Sequence, residues 1–458
     1  MTRGTTPPSH PRTRRPAPTP SRARARTDEG RSRTRLRTLG PVAAAAVGAL
    51  ALTACAGGAG GGGGGGEGGG EGFEYGASQE EVDAVLADLE PVTLTYQPAA
   101  PSETSTSGPA ALMFADYIEE RSGGKITVDI VWAQAIAGYT EVDDALVDGR
   151  LDLAFSIPAY SPQEYPEFDG LMAYSQFSPT SVLTGELVTS AMLQELAWEQ
   201  DDVIGGFEEK GLTVLSSMVS GGEYYMMCGP DHTGVEMDHW QGRSIRAGST
   251  MNELVIQGVN GNPVSVQYTE AFEALQRNTI DCAFVQFAAA TNFGLPEVAP
   301  NISYLTDSAI AGKATNTHLA GTSFQDLPLA YQQIIFDAEP YHWAGYQHHA
   351  VDSKRLGVAM SEEAGGEIQP LPDDVQTAMI EAQQQAVVDE VNKGTVGEDV
   401  EARAVELAEK WSTVPGELGF EDGGDLLDIA DWYTGGPEDL LPYAERLYEE
   451  VTVNHRPA

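Results

Sequence analysis

Apolar and polar positions alternate over Val92-Thr93-Leu94-Thr95-Tyr96, the period of a half-buried strand. After a hydroxyl-rich loop, Ser102–Ser107, the period lengthens: Pro109 opens a stretch that places Ala111, Phe114, Ala115 and Ile118 on one face of a helix running to Glu120, with Gly123 as its stop. Lys125–Trp132 reads as a second strand. Thr140 is expected to cap a helix through Asp148, ended by Gly149, and Leu151–Ile157 is a third, almost wholly apolar strand. Strand–helix–strand–helix–strand in this order predicts a parallel sheet with helices on its faces.

The same pattern returns further along. Thr140–Ser156 aligns without gaps on Thr269–Val285, with seven of seventeen positions identical. Each copy reads as a Thr-capped helix, a Gly or Asn turn suited to a left-handed residue, and an apolar strand. The offset, 129 residues, is far too long for a solenoid repeat and is the size of a lobe. Around the second copy, Trp240–Arg246 reads as a turn and strand, Met251–Gln257 as a helix and Pro263–Val266 as a strand. The chain is therefore expected to hold two α/β lobes of like design, and ligands of such sheets gather beyond the carboxyl ends of the strands. That puts a cleft where Ser156–Tyr160 and Val285–Phe287 emerge.

Past Asn301 the pattern changes again. Ile302–Leu305 and Ala314–Leu319 look like strands returning between lobes, and from Leu327 onward the chain reads as helices: Tyr331–Asp337, a long Tyr341–Ala359, Pro372–Asn392, Val400–Lys410, Asp425–Tyr433 and Asp439–Val451. The Gln383–Gln385 run is expected on an exposed face, and these helices are expected to pack across both lobes and their hinge.

Charge divides the chain in two. Residues 1–54 hold eleven arginines against Asp28 and Glu29, a net of +9, which leaves −51 on the rest from 66 acidic and 15 basic residues. A body this acidic excludes nucleic acid as a partner. The basic segment reads as an address: Arg31, Arg33, Arg35 and Arg37 precede an apolar run, Val42–Leu52, too short to span a bilayer as a mature helix. The run ends in Leu52-Thr53-Ala54-Cys55, which resembles the lipobox of bacterial lipoproteins, with Cys55 the residue acylated after cleavage. Gly57–Gly72, nearly all glycine, cannot bury apolar surface and reads as a flexible tether. The expected organisation is a leader over 1–54, the acylated cysteine and tether over 55–90, lobe one over 91–218, and lobe two over 219–305. Return strands, a long hinge helix and C-terminal helices follow over 306–458.

Several stretches in fixed order are similar to the solute receptors of TRAP (tripartite ATP-independent periplasmic) transporters, the DctP-like family. They are Ser122-Gly123-Gly124-Lys125-Ile126; Glu141, Ala145-Leu146, Gly149 and Leu151-Asp152; Trp240-Gln241-Gly242 with Ile245-Arg246; and Pro263, Tyr268–Phe272, Ala274–Gln276 and Ile280-Asp281. The resemblance spans about Val92 to about Ala359. It implies a periplasmic-binding-protein type of fold closing on one small ligand, no enzymatic activity and no cofactor. It also implies export, anchoring through Cys55 to the outer face of the membrane, and hand-over to small and large permease subunits. In that family an arginine at this strand end binds the ligand carboxylate, and Arg246 holds the matching position. The chemistry suits the role, since a planar guanidinium offers a carboxylate two parallel donors. An interlobe salt bridge is the other reading of Arg246, and Arg243 is expected to be a solvated turn residue.

Two departures qualify the match. Where relatives that grip acidic sugars or dicarboxylates often place a second arginine, Gly221–Tyr225 puts Glu223. The strand end after Ile280-Asp281 leaves Gln286 as the polar contact; Tyr268 and Tyr160 complete the expected ligand-binding set, and Glu223 beside them would admit an amine or hydroxyls on a monocarboxylate. Cys228 and Cys282 either pair or remain buried thiols. No His-Glu-x-x-His or Cys-x-x-Cys occurs, adjacent His348 and His349 cannot share a helix face, and the acids of Glu421–Asp428 lack EF-hand spacing, so no metal is expected. No Gly-x-Ser-x-Gly elbow occurs either. An ABC-type or sensor-linked lipoprotein, or an exported hydrolase on a similar scaffold, is the alternative reading.

Overall fold

The computed structural model describes residues 70–458, so the leader, Cys55 and the glycine tract up to residue 69 lie outside the described residues. The strands, in chain order, are β1 (Val92–Gln97), β2 (Ile126–Ile130), β3 (Leu153–Ser156), β4 (Thr213–Val219), β5 (Tyr224–Cys228), β6 (Ser244–Ala247), β7 (Asn262–Ser265), β8 (Cys282–Gln286), β9 (Asn301–Tyr304), β10 (Asn316–Ala320) and β11 (Ile368–Pro370). They form two sheets. Lobe one is built on the order β2-β1-β3-β10-β4 and lobe two on β11-β9-β5-β8-β6-β7.

The first three strands run parallel as their spacing predicts, with Val92 opposite Ile126 and Tyr96 opposite Leu153. Both copies of the internal echo are helix–turn–strand units: Val142–Val147, Gly149 and β3 in lobe one, Tyr268–Gln276, Asn278 and β8 in lobe two. Gly149 and Asn278 take the left-handed backbone the turn needs, at φ 78° and 53°. The expected threonine caps do not form. Thr140 stands outside its helix, Thr269 lies within the other, and neither helix has a side-chain cap hydrogen bond.

Three segments cross between lobes: Ser220–Glu223 from β4 to β5, residues 305–315 from β9 to β10, and the 25-residue helix Glu339–Glu363, after which the chain joins lobe two as β11. β10 enters lobe one antiparallel to both its neighbours. The long helix packs against Gly108–Arg121 of lobe one and Phe287–Asn292 of lobe two. Glycines permit both contacts, since a Cβ on Gly345 would lie 2.5 Å from the Ala110 Cα and one on Gly357 would lie 2.0 Å from the Phe287 ring.

Three expectations about packing are corrected here. The tether does not extend to residue 90: Gln79–Leu86 is a helix started by a capping box between Ser78 and Glu81, and Phe73, Val82 and Leu86 are buried. Gln383 is fully buried, because its amide satisfies the Ala311 N–H, the Ala309 carbonyl and the Ser308 hydroxyl in a crossing segment. Arg243 is buried too. It lies over the Trp240 ring, its Nη2 donates to the Gly234 carbonyl at 3.1 Å, and Nη1 rests against the sulfurs of Cys228 and Cys282.

Those two cysteines stand directly opposite each other on β5 and β8 and are disulfide-bonded. The bond closes a loop across 54 residues and so restricts the unfolded chain. Replacing both cysteines by alanine is expected to lower stability by about 2–4 kcal/mol, read as a fall in the urea midpoint that added reductant reproduces in wild type.

Candidate functional site

Arg246 is the penultimate residue of β6, and its side chain is completely buried. Neighbouring backbone holds the guanidinium on two sides: Nε donates to the Val266 carbonyl after β7 at 2.8 Å, and Nη1 to the Phe284 carbonyl of β8 at 3.1 Å. Nη2 donates to the Tyr160 hydroxyl at 3.1 Å, and the Tyr268 ring lies over the guanidinium with its centroid 4.1 Å away. Three of its five N–H groups are thus used, and one remains on each terminal nitrogen. Among the described residues no carboxylate lies within ion-pair distance of it, which removes the salt-bridge reading.

Tyr160 comes from the turn after β3 in lobe one and reaches across to lobe two, where its hydroxyl also accepts from the Tyr268 backbone N–H at 3.2 Å. Gln286, at the end of β8, receives the Tyr268 hydroxyl at 3.4 Å. Its Nε2 donates to the carbonyls of Gly222 and Lys313, one on each of two crossing segments. Arg246, Tyr160, Tyr268 and Gln286 therefore form one contiguous cluster at the carboxyl ends of β3, β6 and β8. Beside it a cavity of about 30 Å³ remains between the lobes, with Tyr139 and Phe155 on one side, Tyr268 and Phe293 on the other, and Tyr346 and His349 of the long helix at the hinge.

Glu223 does not join them. It lines a separate cavity of about 670 Å³ with Tyr225, Tyr304, Lys354, Asp422 and Asp425. Its carboxylate is engaged by Lys313 at 3.3 Å and by the Ile310 N–H at 3.2 Å. The expectation that Glu223 faces the ligand is corrected: the carbonyl of the preceding Gly222 points at Gln286, while the Glu223 side chain is held by the hinge. That larger cavity has the wrong sign for an anion, because its one cation, Lys354, is already spent on Glu186 and the Val182 carbonyl.

One buried cluster resembles a metal site. His318, Glu339 and His342 bring ligand atoms within 4.8 Å of one another. The two imidazoles, however, are stacked at 4.0 Å with 17° between their planes. Nitrogen lone pairs lie in the ring plane, so two nearly parallel rings cannot both direct one at a single ion. Instead His318 Nδ1 and Glu339 share a hydrogen bond of 2.7 Å; burial raises the carboxyl to about 7 and lowers both histidines to about 3.

The model of the bacterial extracellular solute-binding protein family 7 (DctP) matches residues 99–393. The chain belongs to that family. A curated relative, a solute-binding protein of Albidiferax ferrireducens, is 26% identical over half of this chain and 60% of its own length. The chain thus spans about 60% of the length of the curated relative it matches. Similar solved structures include the sugar acid binding protein of Advenella mimigardefordensis in complex with galactonate, 19% identical at a TM-score of 0.59 over 71% of this chain and 100% of that one. A TRAP solute binding protein of Rhodoferax ferrireducens with copurified benzoate is 19% identical at 0.59, over 70% and 99%. A Bordetella pertussis extracytoplasmic solute receptor binding pyroglutamic acid is 17% identical at 0.57, over 69% and 99%. The family and these structures are solute-binding receptors rather than enzymes.

The hinge of this family member is held by buried charges that no local pattern in the sequence predicts. Glu186, on the buried helix Thr184–Trp198, binds Lys354 of the long helix at 2.6 Å and Lys313 of a crossing segment at 3.2 Å, and accepts from the Glu223 N–H at 2.9 Å. All three charged side chains are at most 3% exposed. The one available signal was a glutamate within an otherwise apolar helical stretch, with no hint of its distant partners. Burial by itself would raise the Glu186 carboxyl, but the two ammonium groups more than offset it and hold the group at about 2. A depressed carboxyl contributes stability above its unfolded pKa of about 4.3 and loses it as pH falls through the folded value. Glu186→Gln is expected to cost about 3–5 kcal/mol near neutral pH. In urea titrations the gap from wild type should narrow as pH falls from about 4 toward 2.

Proposed function

We propose that this chain is an extracytoplasmic receptor that closes its lobes on a small organic acid, held by Arg246 through its carboxylate, and delivers it to a TRAP-type permease. One observation carries the reading: a fully buried guanidinium with two free N–H groups and no acidic partner among the described residues, in a chain with 68 acidic residues. An unpaired buried charge is costly, and a ligand carboxylate relieves that cost while using both free donors. Tyr160 spans the lobes to the same guanidinium, so a ligand there engages both lobes and favours the closed state. The ligands in the similar structures (galactonate, benzoate and pyroglutamic acid) have little in common beyond a carboxyl group. Family membership, the acidic body and the lipobox-like Leu52–Cys55 support export and anchoring through Cys55. No described helix is long and apolar enough to cross a membrane.

Calorimetry with a panel of galactonate, pyroglutamate, benzoate and mandelate tests the reading. Wild type is expected to bind at least one of them. Arg246→Ala should lose about 2–5 kcal/mol of that affinity, and Arg246→Lys should lose most of it because lysine lacks the planar fork. No binding by wild type, or equal binding by both variants, overturns the assignment. A Cβ on Gly248 would lie 2.5 Å from Arg246 Nη2. Gly248→Ala is therefore expected to weaken the same binding at least tenfold while the thermal midpoint falls by only a few degrees.

A further inference from the structure

The larger cavity, about 670 Å³ and within the range of small-molecule sites, is bordered by every element that crosses between the lobes. Glu223 ends the first crossing segment, Leu305 and Thr306 stand at the start of the second, and Lys354 lies on the long helix. Asp422 and residues 424–428 supply another wall, and they lie beyond the stretch 99–393 that the family model matches.

Charge around this cavity does not balance. Lys313 and Lys354 are matched by Glu186 and Glu223. That leaves Asp422, Asp425 and Asp428 with no cationic side chain at ion-pair distance among the described residues. Asp422 is held in place by the Leu183 and Thr184 N–H groups, whereas Asp425 and Asp428 are exposed. A buried polar group is unmet as well. Tyr225 lines the cavity at 4% exposure with its ring packed on Phe287 at 4.2 Å, and its hydroxyl has no hydrogen-bond partner among the described residues. Burial, and then the charges of Glu186 and Glu223, push this phenol's pKa far up, so the hydroxyl stays neutral and can accept from a cation.

A single metal ion does not fit this pattern. The three aspartates do not converge, and among the described residues only His318, Glu339 and His342 bring three such ligand atoms within 4.8 Å of one another. The separated charges are instead interleaved with apolar surface from Val182, Leu305 and Leu427. We propose that this hinge-side cavity is a second binding site, for an aliphatic di- or polyamine. Its ammonium groups pair with Asp425 and Asp428 and donate to the Tyr225 hydroxyl, while its methylene segments lie on the apolar wall. Arg246 does not line this cavity, so the site stands apart from the carboxylate reading.

Calorimetry at low ionic strength compares spermidine, putrescine, butylamine and calcium chloride on wild type, Tyr225→Phe and the double variant Asp425→Asn/Asp428→Asn. Wild type is expected to bind a single spermidine per chain, more tightly than putrescine or butylamine, and rising salt should weaken it. The double variant should lose about tenfold or more of that affinity, and Tyr225→Phe about threefold or more. Asp201→Asn/Asp202→Asn, an exposed acidic pair outside the cavity, should leave it unchanged, as should Arg246→Ala. Equal weakening by the two aspartate pairs marks diffuse attraction to an acidic surface and overturns the site. So does the absence of spermidine binding by wild type, or a Tyr225→Phe variant that binds like wild type. Calcium binding that displaces spermidine and is lost in the same double variant assigns the aspartates to a metal and overturns the polyamine reading. If spermidine binds as expected while no organic acid does, the Arg246 reading fails and this site stands.

Discussion

The structure depends on keeping one positive charge dry. Arg246 is buried between the lobes of a chain that holds 68 acidic residues, and none of the described ones reaches it. Its charge is stabilised by fixed dipoles: two backbone carbonyls, a phenol oxygen and the face of a second tyrosine. The deeply buried acids have partners of their own. Glu186 is neutralised by Lys313 and Lys354, Asp337 by Arg456, and Glu339 is hydrogen-bonded to His318. The guanidinium therefore keeps two donors free for an anion from outside.

The same arrangement couples the site to the hinge. Gln286 contacts Tyr268 at one end of its amide and the carbonyls of two crossing segments at the other. Lys313, in one of those segments, is held by Glu186 and Glu223, and Glu186 is held in turn by Lys354 on the third crossing element. A shift of the lobes that moves Tyr268 must therefore be accommodated within a charge cluster whose breakage is costly, which favours a few discrete arrangements over a continuous range.

Local pattern made much of this legible. The alternation at Val92–Tyr96, the proline-led helix of lobe one and the paired helix–turn–strand units all appear where their periodicity put them. The echo also located the cleft, since equivalent units place equivalent strand ends together. Local pattern does not report residues whose surroundings come from far along the chain. Arg243 looked like a surface turn, yet Trp240, Gly234 and the cysteine pair enclose it. Gln383 looked exposed, yet its partners lie more than seventy residues away. The helix Gln79–Leu86 does carry a local signal, since Ser78 and Glu81 have the spacing of a capping box.

The sequence by itself determined the two-lobed α/β plan and the strand ends that border the cleft, because helix and strand periods and a repeated motif are properties of neighbours in the chain. Only the tertiary structure decided which polar groups are already satisfied. Glu223 turns to Lys313 and leaves the cleft, Arg246 has no acid beside it among the described residues, and His349 rather than His348 lines the cleft. Those outcomes rest on charge neutralisation and hydrogen-bond satisfaction between residues tens to more than a hundred positions apart, which no local pattern encodes.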